Sequence, residues 1–202
     1  MRADSVVVLD FETTGLSPAR GDRAIEIGAI KLHQGRVVER FQELMNPGFR
    51  ISRFIAEYTG ISPQMLSQAR SCESVMGDFY DFLGDANIVA HNMSFDRRFL
   101  EAELAHLGLR SSENYACSLL LARRTLQAPS YKLSALVASQ QIPSDGVFHR
   151  ALADAEVTHL LWLKSLEQLR LHHQVAEPSF ALIQALSKVS KAKVPDYLRK
   201  WR

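Results

Sequence analysis

The residues from 5 to 12 constrain the fold of this chain most, because they join a buried strand to two acidic side chains. Positions 6 to 9 are apolar, with three β-branched valines and no helical period, which predicts a strand that ends in a turn at residues 14 to 18. Asp10 and Glu12 stand two positions apart, so both side chains leave the same face of the sheet. Two carboxylates at one spot repel each other unless a cation joins them, and magnesium or manganese suits oxygen ligands. The alternative is that one of the pair points to solvent at a frayed strand end.

The rest of the pattern predicts an α/β domain. Besides the first strand, the predicted strands cover 24–32, 37–45, 87–91 and 115–118, and the predicted helices cover 52–58, 63–69, 73–83, 94–106, 119–126, 132–139 and 150–172. The first three strands follow one another closely enough to form an antiparallel meander. Such a meander followed by alternating helices and strands argues for a mixed sheet.

The positive charge of the chain is concentrated at its C-terminal end. A chain of 202 residues, 47% of them hydrophobic, suits one full core, so we expect one domain at residues 1–177 and a basic extension at 178–202. Residues 179–202 hold six Lys and Arg against one Asp, whereas the formal charge of the whole chain is only +2. This division predicts that an anionic partner is met partly at the end of the chain. A solvated terminal helix rich in lysine is the alternative.

The composition argues against several other classes of protein. The apolar run near the N-terminus is interrupted at once by Asp10 and Glu12, so it predicts neither a signal peptide nor a membrane span. Cys72 and Cys117, the only two cysteines, belong to no CxxC motif or Cys/His cluster, so we expect reduced thiols, no disulfide and no zinc site. These features predict a soluble protein of the cytoplasm with no membrane partner.

Two more acids and one histidine complete a candidate site. Asp96 and Asp154 each fall near the start of a predicted helix, where the helix dipole favours an acid that has no other role. His149 lies five residues before Asp154 and taken alone could be an ordinary loop residue. The set as a whole, with the two acids of the first strand, is what indicates a site.

Three sequence blocks resemble the exonuclease motifs of the DEDD superfamily. They are Asp10-Phe11-Glu12-Thr13-Thr14-Gly15, His91-Asn92-x-x-Phe95-Asp96-x-x-Phe99-Leu100 and His149-x-x-x-x-Asp154-Ala155. Their arrangement is similar to that of DnaQ-like proteins, the family of the proofreading epsilon subunit of bacterial DNA polymerase III. The tyrosine subclass would need Tyr at the position of Arg150, whereas the histidine subclass needs the His that stands at position 149. The resemblance covers residues 5 to about 172 and indicates a DEDDh-type exonuclease.

The resemblance implies both a fold and a chemistry. The fold is ribonuclease-H-like, a mixed five-stranded sheet with helices on both faces. The activity is a metal-dependent 3′-5′ exonuclease that releases nucleoside 5′-monophosphates, from DNA in preference to RNA, in proofreading or repair. Two divalent ions, Mg²⁺ or Mn²⁺, would lie around the scissile phosphate with His149 as general base. The expected metal ligands are Asp10, Glu12, Asp96 and Asp154, and the residues expected to hold the terminal nucleotide are Thr13, Thr14, Gly15, Leu16, Asn92 and Phe95.

Other functions stay open from the sequence. An RNA 3′-5′ exonuclease carries the same motifs, because acids that bind metal and phosphate do not read the sugar. A second alternative is a binding subunit of a DNA polymerase, in which catalysis is incidental. The basic residues at the C-terminal end motivate this reading. A hydrolase of small phosphodiesters is a third reading.

Two further positions depart from a simple pattern. Epsilon-type proteins carry a His-Gly pair near the position where this chain has Thr59-Gly60, so the resemblance does not carry over the substrate contact made by that histidine. Glu26 lies at the centre of the second strand, where it could support the site from behind or be an exposed position of the alternating pattern, and we prefer the exposed position.

Overall fold

A computed structural model describes residues 1–146 and 148–201 of the chain and shows one mixed sheet. Its strands are β1 (Val7–Thr13), β2 (Ala24–His33), β3 (Arg36–Asn46), β4 (Arg70–Ser71), β5 (Ile88–Ala90) and β6 (Tyr115–Cys117), in the order β4-β3-β2-β1-β5-β6. The first three strands are antiparallel, as predicted, while β5 and β6 add in parallel beside β1. The prediction of five strands was wrong by one, because β4 pairs in parallel with the end of β3 over two residues only. Two residues are too short to show a strand period in a sequence.

Helices cover both faces of this sheet. They are α1 (Arg53–Thr59), α2 (Pro63–Gln68), α3 (Cys72–Leu83), α4 (Met93–His106), α5 (Ser118–Thr125), α6 (Leu133–Ser139), α7 (Ala151–His173), α8 (Phe180–Leu186) and α9 (Val194–Lys200). Side chains of β1 and of the residue before it alternate between two cores. Val7, Leu9 and Phe11 pack against α3 and α4, while Val6 and Val8 pack on the side of α7. Asp10 and Glu12 share the parity of Val8, so they leave the sheet on the α7 side.

The first turn of α7 lies directly on β2. A Cβ atom built on Gly28 would lie 2.1 Å from the backbone nitrogen of Leu152 and 2.3 Å from the carbonyl carbon of Ala151. Only a glycine permits so close an approach of helix backbone to strand. This contact fixes the height at which the start of α7 sits above the sheet.

The C-terminal segment packs onto the domain rather than away from it. The backbone N–H of Ala3 donates to the Pro178 carbonyl at 2.9 Å, and Arg2 forms a bridge with Ser179. Phe180, Leu182, Ile183 and Leu186 of α8 are buried in the same apolar cluster as Val8 and Trp162. The boundary between a domain at 1–177 and an extension stays a prediction, but residues after 178 contribute to the core. Within residues 1–146 and 148–201, none of the helices has the length and apolar character that crossing a bilayer requires.

Candidate active site

One open cleft is lined by all of the residues that were predicted from the sequence to bind metal, act as base or hold the nucleotide. It has a volume of about 970 Å³ and lies at the end of β1, between α1, the start of α4, the start of α6 and the segment that leads into α7. The predicted metal ligands and general base lie in it together with the residues predicted to hold the nucleotide: Asp10, Glu12, Asp96, Asp154, His149, Thr13, Thr14, Gly15, Leu16, Asn92 and Phe95. The fold thus brings together groups that are up to 144 positions apart in the sequence.

Asp96 is held beside Asp10 by the backbone of β1. Its Oδ1 accepts the N–H of Phe11 at 3.2 Å, and its side chain is almost fully buried. The turn from β5 into α4 passes through Asn92 at a φ of 73°, a left-handed conformation that Asn tolerates better than most residues. Burial raises the pKa of both carboxyls, and the negative charge of Asp96 raises that of Asp10 further.

Glu12, His149 and Asp154 form the other half of the acidic site. Each presents a carboxylate oxygen or ring nitrogen within 4.8 Å of the other two. The backbone N–H of His149 donates to Oδ2 of Asp154 at 2.8 Å, and His149 has a φ of 64°. Burial first, and then the charges of Asp154 and Glu26, raise the pKa of Glu12 to about 8. The hydrogen bond from the His149 N–H to Asp154 connects the loop of the exposed histidine to the first turn of α7.

The chemistry of this donor set fits hard divalent cations. Four carboxylates converge on one cleft, and the pKa of each is raised above its ordinary value by burial. Such a cluster strongly favours a bound positive charge, because the cation offsets both the repulsion and the lost hydration. Oxygen ligands of this kind are preferred by Mg²⁺ and Mn²⁺ over softer metals.

Glu26 is fully buried, so its interpretation as an exposed position was wrong. Glu26 lies opposite Glu12 in the register of β1 and β2. Its carboxylate accepts hydrogen bonds from the Arg150 guanidinium at 2.8 Å, the N–H of Ala151 at 3.1 Å and the Gln42 amide at 3.0 Å. The carboxylate therefore neutralises Arg150 and binds the start of α7 at the same time. Because Arg150 and Ala151 lie 124 and 125 positions away from Glu26, no local pattern could have shown this role.

The turn after β1 is organised to expose Leu16. Oδ2 of Asp22 accepts the N–H of Ser17 at 2.9 Å, and Oγ1 of Thr14 accepts the N–H of Arg23 at 3.0 Å. A Cβ on Gly15 would lie only 2.4 Å from the Asp22 carboxylate, so glycine allows the turn to close. As a result Leu16 is 76% exposed at the edge of the cleft. An exposed leucine held by a braced turn can pack against a planar group that enters the cleft.

Two aromatic residues of α1 were missed by the sequence reasoning. The Tyr58 ring lies 4.1 Å from the His149 ring, centroid to centroid, and Phe54 stacks on Tyr58 at 5.8 Å. Both aromatic side chains line the cleft and are largely exposed, at 70% for Phe54 and 51% for Tyr58. Their spacing of four residues on a short helix was the available signal, since it places both rings on one face. Thr59, which replaces the expected histidine, also lines the cleft, but its hydroxyl bonds to the Ile55 carbonyl.

The chain is similar in sequence to known exonucleases and DNA polymerases. The sequence model of an exonuclease family, RNase_T, matches residues 7–161. Among curated relatives, the chain is 43% identical to the PolC-type DNA polymerase III of Thermotoga maritima over 167 residues, which is 81% of this chain and 12% of that protein. It is 37% identical to the 3′-5′ exonuclease DinG of Bacillus subtilis over 193 residues, which is 93% of this chain and 20% of that protein. The chain therefore spans only a fifth or less of the length of these relatives.

Solved structures share the fold. Exonuclease X in complex with 5′ overhanging duplex DNA superposes with a TM-score of 0.68 at 23% identity, over 90% of this chain and 99% of that one. The nuclease domain of 3′hExo, a DEDDh family member bound to rAMP, gives a TM-score of 0.70 at 20% identity, over 81% of this chain and 92% of that one. The expected ribonuclease-H-like fold with helices on both faces is thereby confirmed.

Proposed function

Because the chain belongs to the RNase_T exonuclease family, we propose that it removes nucleoside 5′-monophosphates one at a time from the 3′ end of a DNA strand in a metal-dependent reaction. The observation that carries the proposal is the convergence of Asp10, Glu12, Asp96 and Asp154 with His149 in one open cleft. DNA is favoured over RNA by the relatives whose name is DNA polymerase III. The rAMP bound to 3′hExo motivates RNA as the second candidate substrate.

The four carboxylates would hold two divalent ions, Mg²⁺ or Mn²⁺. Bound there, the ions would supply Lewis acidity and neutralise charge on the scissile phosphate. His149 projects from a loop at the cleft mouth, where its imidazole can accept a proton from the attacking water. Asp154 fixes the backbone of that loop through the 2.8 Å bond to the His149 N–H. The chain's own contribution is therefore to orient the base and to concentrate negative charge that selects a divalent cation.

The cleft suits a single-stranded or frayed end. The acids lie at its floor, since Asp96 is only 2% and Asp154 only 6% exposed, whereas Leu16 stands at the rim. A terminal nucleotide must reach past Leu16 to bring its phosphate to those acids. A base still paired within a duplex has to leave its partner first, at a cost of a few kcal/mol that is smallest for a mismatch. This requirement supports a role in proofreading or repair.

Product analysis tests the proposal. Wild-type protein and the variants Asp10→Ala and Asp85→Ala would be incubated with 5′-labelled single-stranded DNA or matched RNA, with Mg²⁺, Mn²⁺ or chelator. We expect a metal-dependent ladder that shrinks from the 3′ end, lost in Asp10→Ala and kept in Asp85→Ala, whose exposed acid lies outside the cleft. The ratio of DNA to RNA rates chooses the substrate. No cleavage of either strand would contradict the proposal and favour a polymerase-associated binding subunit.

A DNA polymerase as partner and a cytoplasmic location both stay predictions. The PolC-type relative motivates the first, because there the matching region is one part of a polymerase. Co-purification of the tagged chain with a replicative polymerase would test it directly. If the tagged chain is monodisperse and the polymerase does not co-purify with it, the result favours a stand-alone nuclease.

A further inference from the structure

Two segments of the chain contain basic residues and no acidic residue. Residues 115–144 and 179–195 contain six Lys and Arg and not one Asp or Glu. Since the formal charge of the whole chain is +2, the remainder carries −4. A separation of this size creates a surface potential that attracts anions to one part of the molecule.

The fold packs the two segments against each other. The Arg124 guanidinium donates to three carbonyls at the end of α8 and just after it, those of Leu186 at 3.1 Å, Ser187 at 2.6 Å and Val189 at 2.9 Å. The Lys191 ammonium donates to the Leu126 carbonyl at 2.7 Å. The segment that follows α8 therefore lies across the end of α5. Arg124 is half-buried by these bonds, whereas the other five cations of the two segments are exposed.

The surface formed by the exposed cations of these two segments extends to the rim of the cleft. Arg123 lies with its guanidinium 5.9 Å from the Tyr131 ring, and the Tyr131 carbonyl is 3.1 Å from the His91 ring nitrogen at the cleft wall. The next residue, Lys132, lines the cleft itself. We call the exposed set the basic edge: Arg123, Lys132, Lys188, Lys191 and Lys193. The first acid after residue 195, Asp196, pairs with Arg199 rather than with a member of the basic edge.

We propose that the basic edge binds the phosphate backbone of the strand that leads into the cleft, several nucleotides away from the one being removed. The inference rests on the proposed function, because it takes the cleft as the place where the strand ends. Its physical reason is that the phosphates outside the cleft carry negative charge that the cleft does not reach, and the basic edge places cations beside the entrance. Binding of phosphates by Lys and Arg releases counterions and does not depend on base sequence.

Equilibrium binding without cleavage tests the inference. The probe is a fluorescein-labelled single strand of about 20 nucleotides, longer than the roughly 4 to 16 that one binding groove covers. Its anisotropy is followed in chelator at several salt concentrations. The test variant replaces Arg123, Lys188 and Lys193 by Gln. The matched control replaces three exposed arginines outside the cleft, Arg36, Arg110 and Arg170, so both variants lose the same charge.

We expect the Kd of the test variant to rise about tenfold or more and the control to change by less than about twofold. The slope of log Kd against log salt should fall by about 2 in the test variant, at about 0.7 for each lost phosphate contact. Both variants should unfold at the wild-type urea midpoint. An unchanged Kd or slope overturns the inference, and so does equal weakening in both variants. Because the readout needs no catalysis, failure of the wild type to cleave DNA would overturn the proposed function separately.

Discussion

The close approach of α7 to Gly28 of β2 makes Gly28→Ala the most informative single substitution. The added Cβ would stand 2.1 Å from the Leu152 nitrogen, whereas ordinary contact begins at 3.4 Å, so the start of α7 has to rise by about 1.3 Å. The atoms in the way belong to the helix backbone and cannot rotate aside. Overpacking of this kind costs about 1 to 3 kcal/mol and occasionally more. We expect a loss of about 3 kcal/mol in the free energy of unfolding, measured by urea denaturation and far-UV circular dichroism.

The same displacement should reach the active site. His149 and Asp154 flank the contact, and a shift of about 1 Å in a reacting group can lower the rate about a hundredfold. Single-turnover cleavage at saturating metal should therefore slow by about that factor. Gly77→Ala is the matched control, since its Cβ meets nothing within 4 Å in the middle of α3 and should stabilise by up to about 1 kcal/mol with an unchanged rate. Stability and rate both at wild-type values in Gly28→Ala would refute the docking argument. Lost stability with an unchanged rate would refute the link to catalysis.

Three further outcomes are expected. His149→Ala should slow turnover by roughly 10² to 10⁴ and still bind Mn²⁺ in calorimetry. Asp154→Asn should lose both turnover and Mn²⁺ binding. If His149→Ala kept the wild-type rate from about pH 6 to 9, His149 would not be the general base. Glu26→Gln leaves the Arg150 charge unpaired and should cost about 3 kcal/mol, the low end for a buried pair because Arg150 is partly exposed; an unchanged urea midpoint would show that the pair does not hold α7. Burial raises the pKa of the Cys72 thiol to about 12 from 9, so iodoacetamide should label it slowly in native protein. The stability contribution of the buried thiol is complete below pH 9 and is lost as pH rises towards 12, by up to about 1.4 kcal/mol per pH unit; rapid native labelling at this thiol, found by peptide mapping, would disprove the burial argument.

Local patterns were sufficient for most of the secondary structure. The β-branched run of β1, the helical period of α7 and the turn between β2 and β3 all depend on neighbours a few positions apart, so their signals are present in the sequence. The fold class followed from the order of these elements. The two-residue β4 gave no such signal, because it exists only through its pairing with the end of β3.

The sequence by itself determined which chemical groups this protein can use. Asp10 and Glu12 share a face because a strand alternates with period two, and the motif blocks marked Asp96, His149 and Asp154. The tertiary structure alone decided how those groups are held and what surrounds them. It buried Glu26 under α7, set the ring of Tyr58 against His149, and laid the segment after α8 across α5 beside the cleft. Each of these contacts joins residues far apart along the chain, and such contacts depend on packing and charge pairing that no local period records.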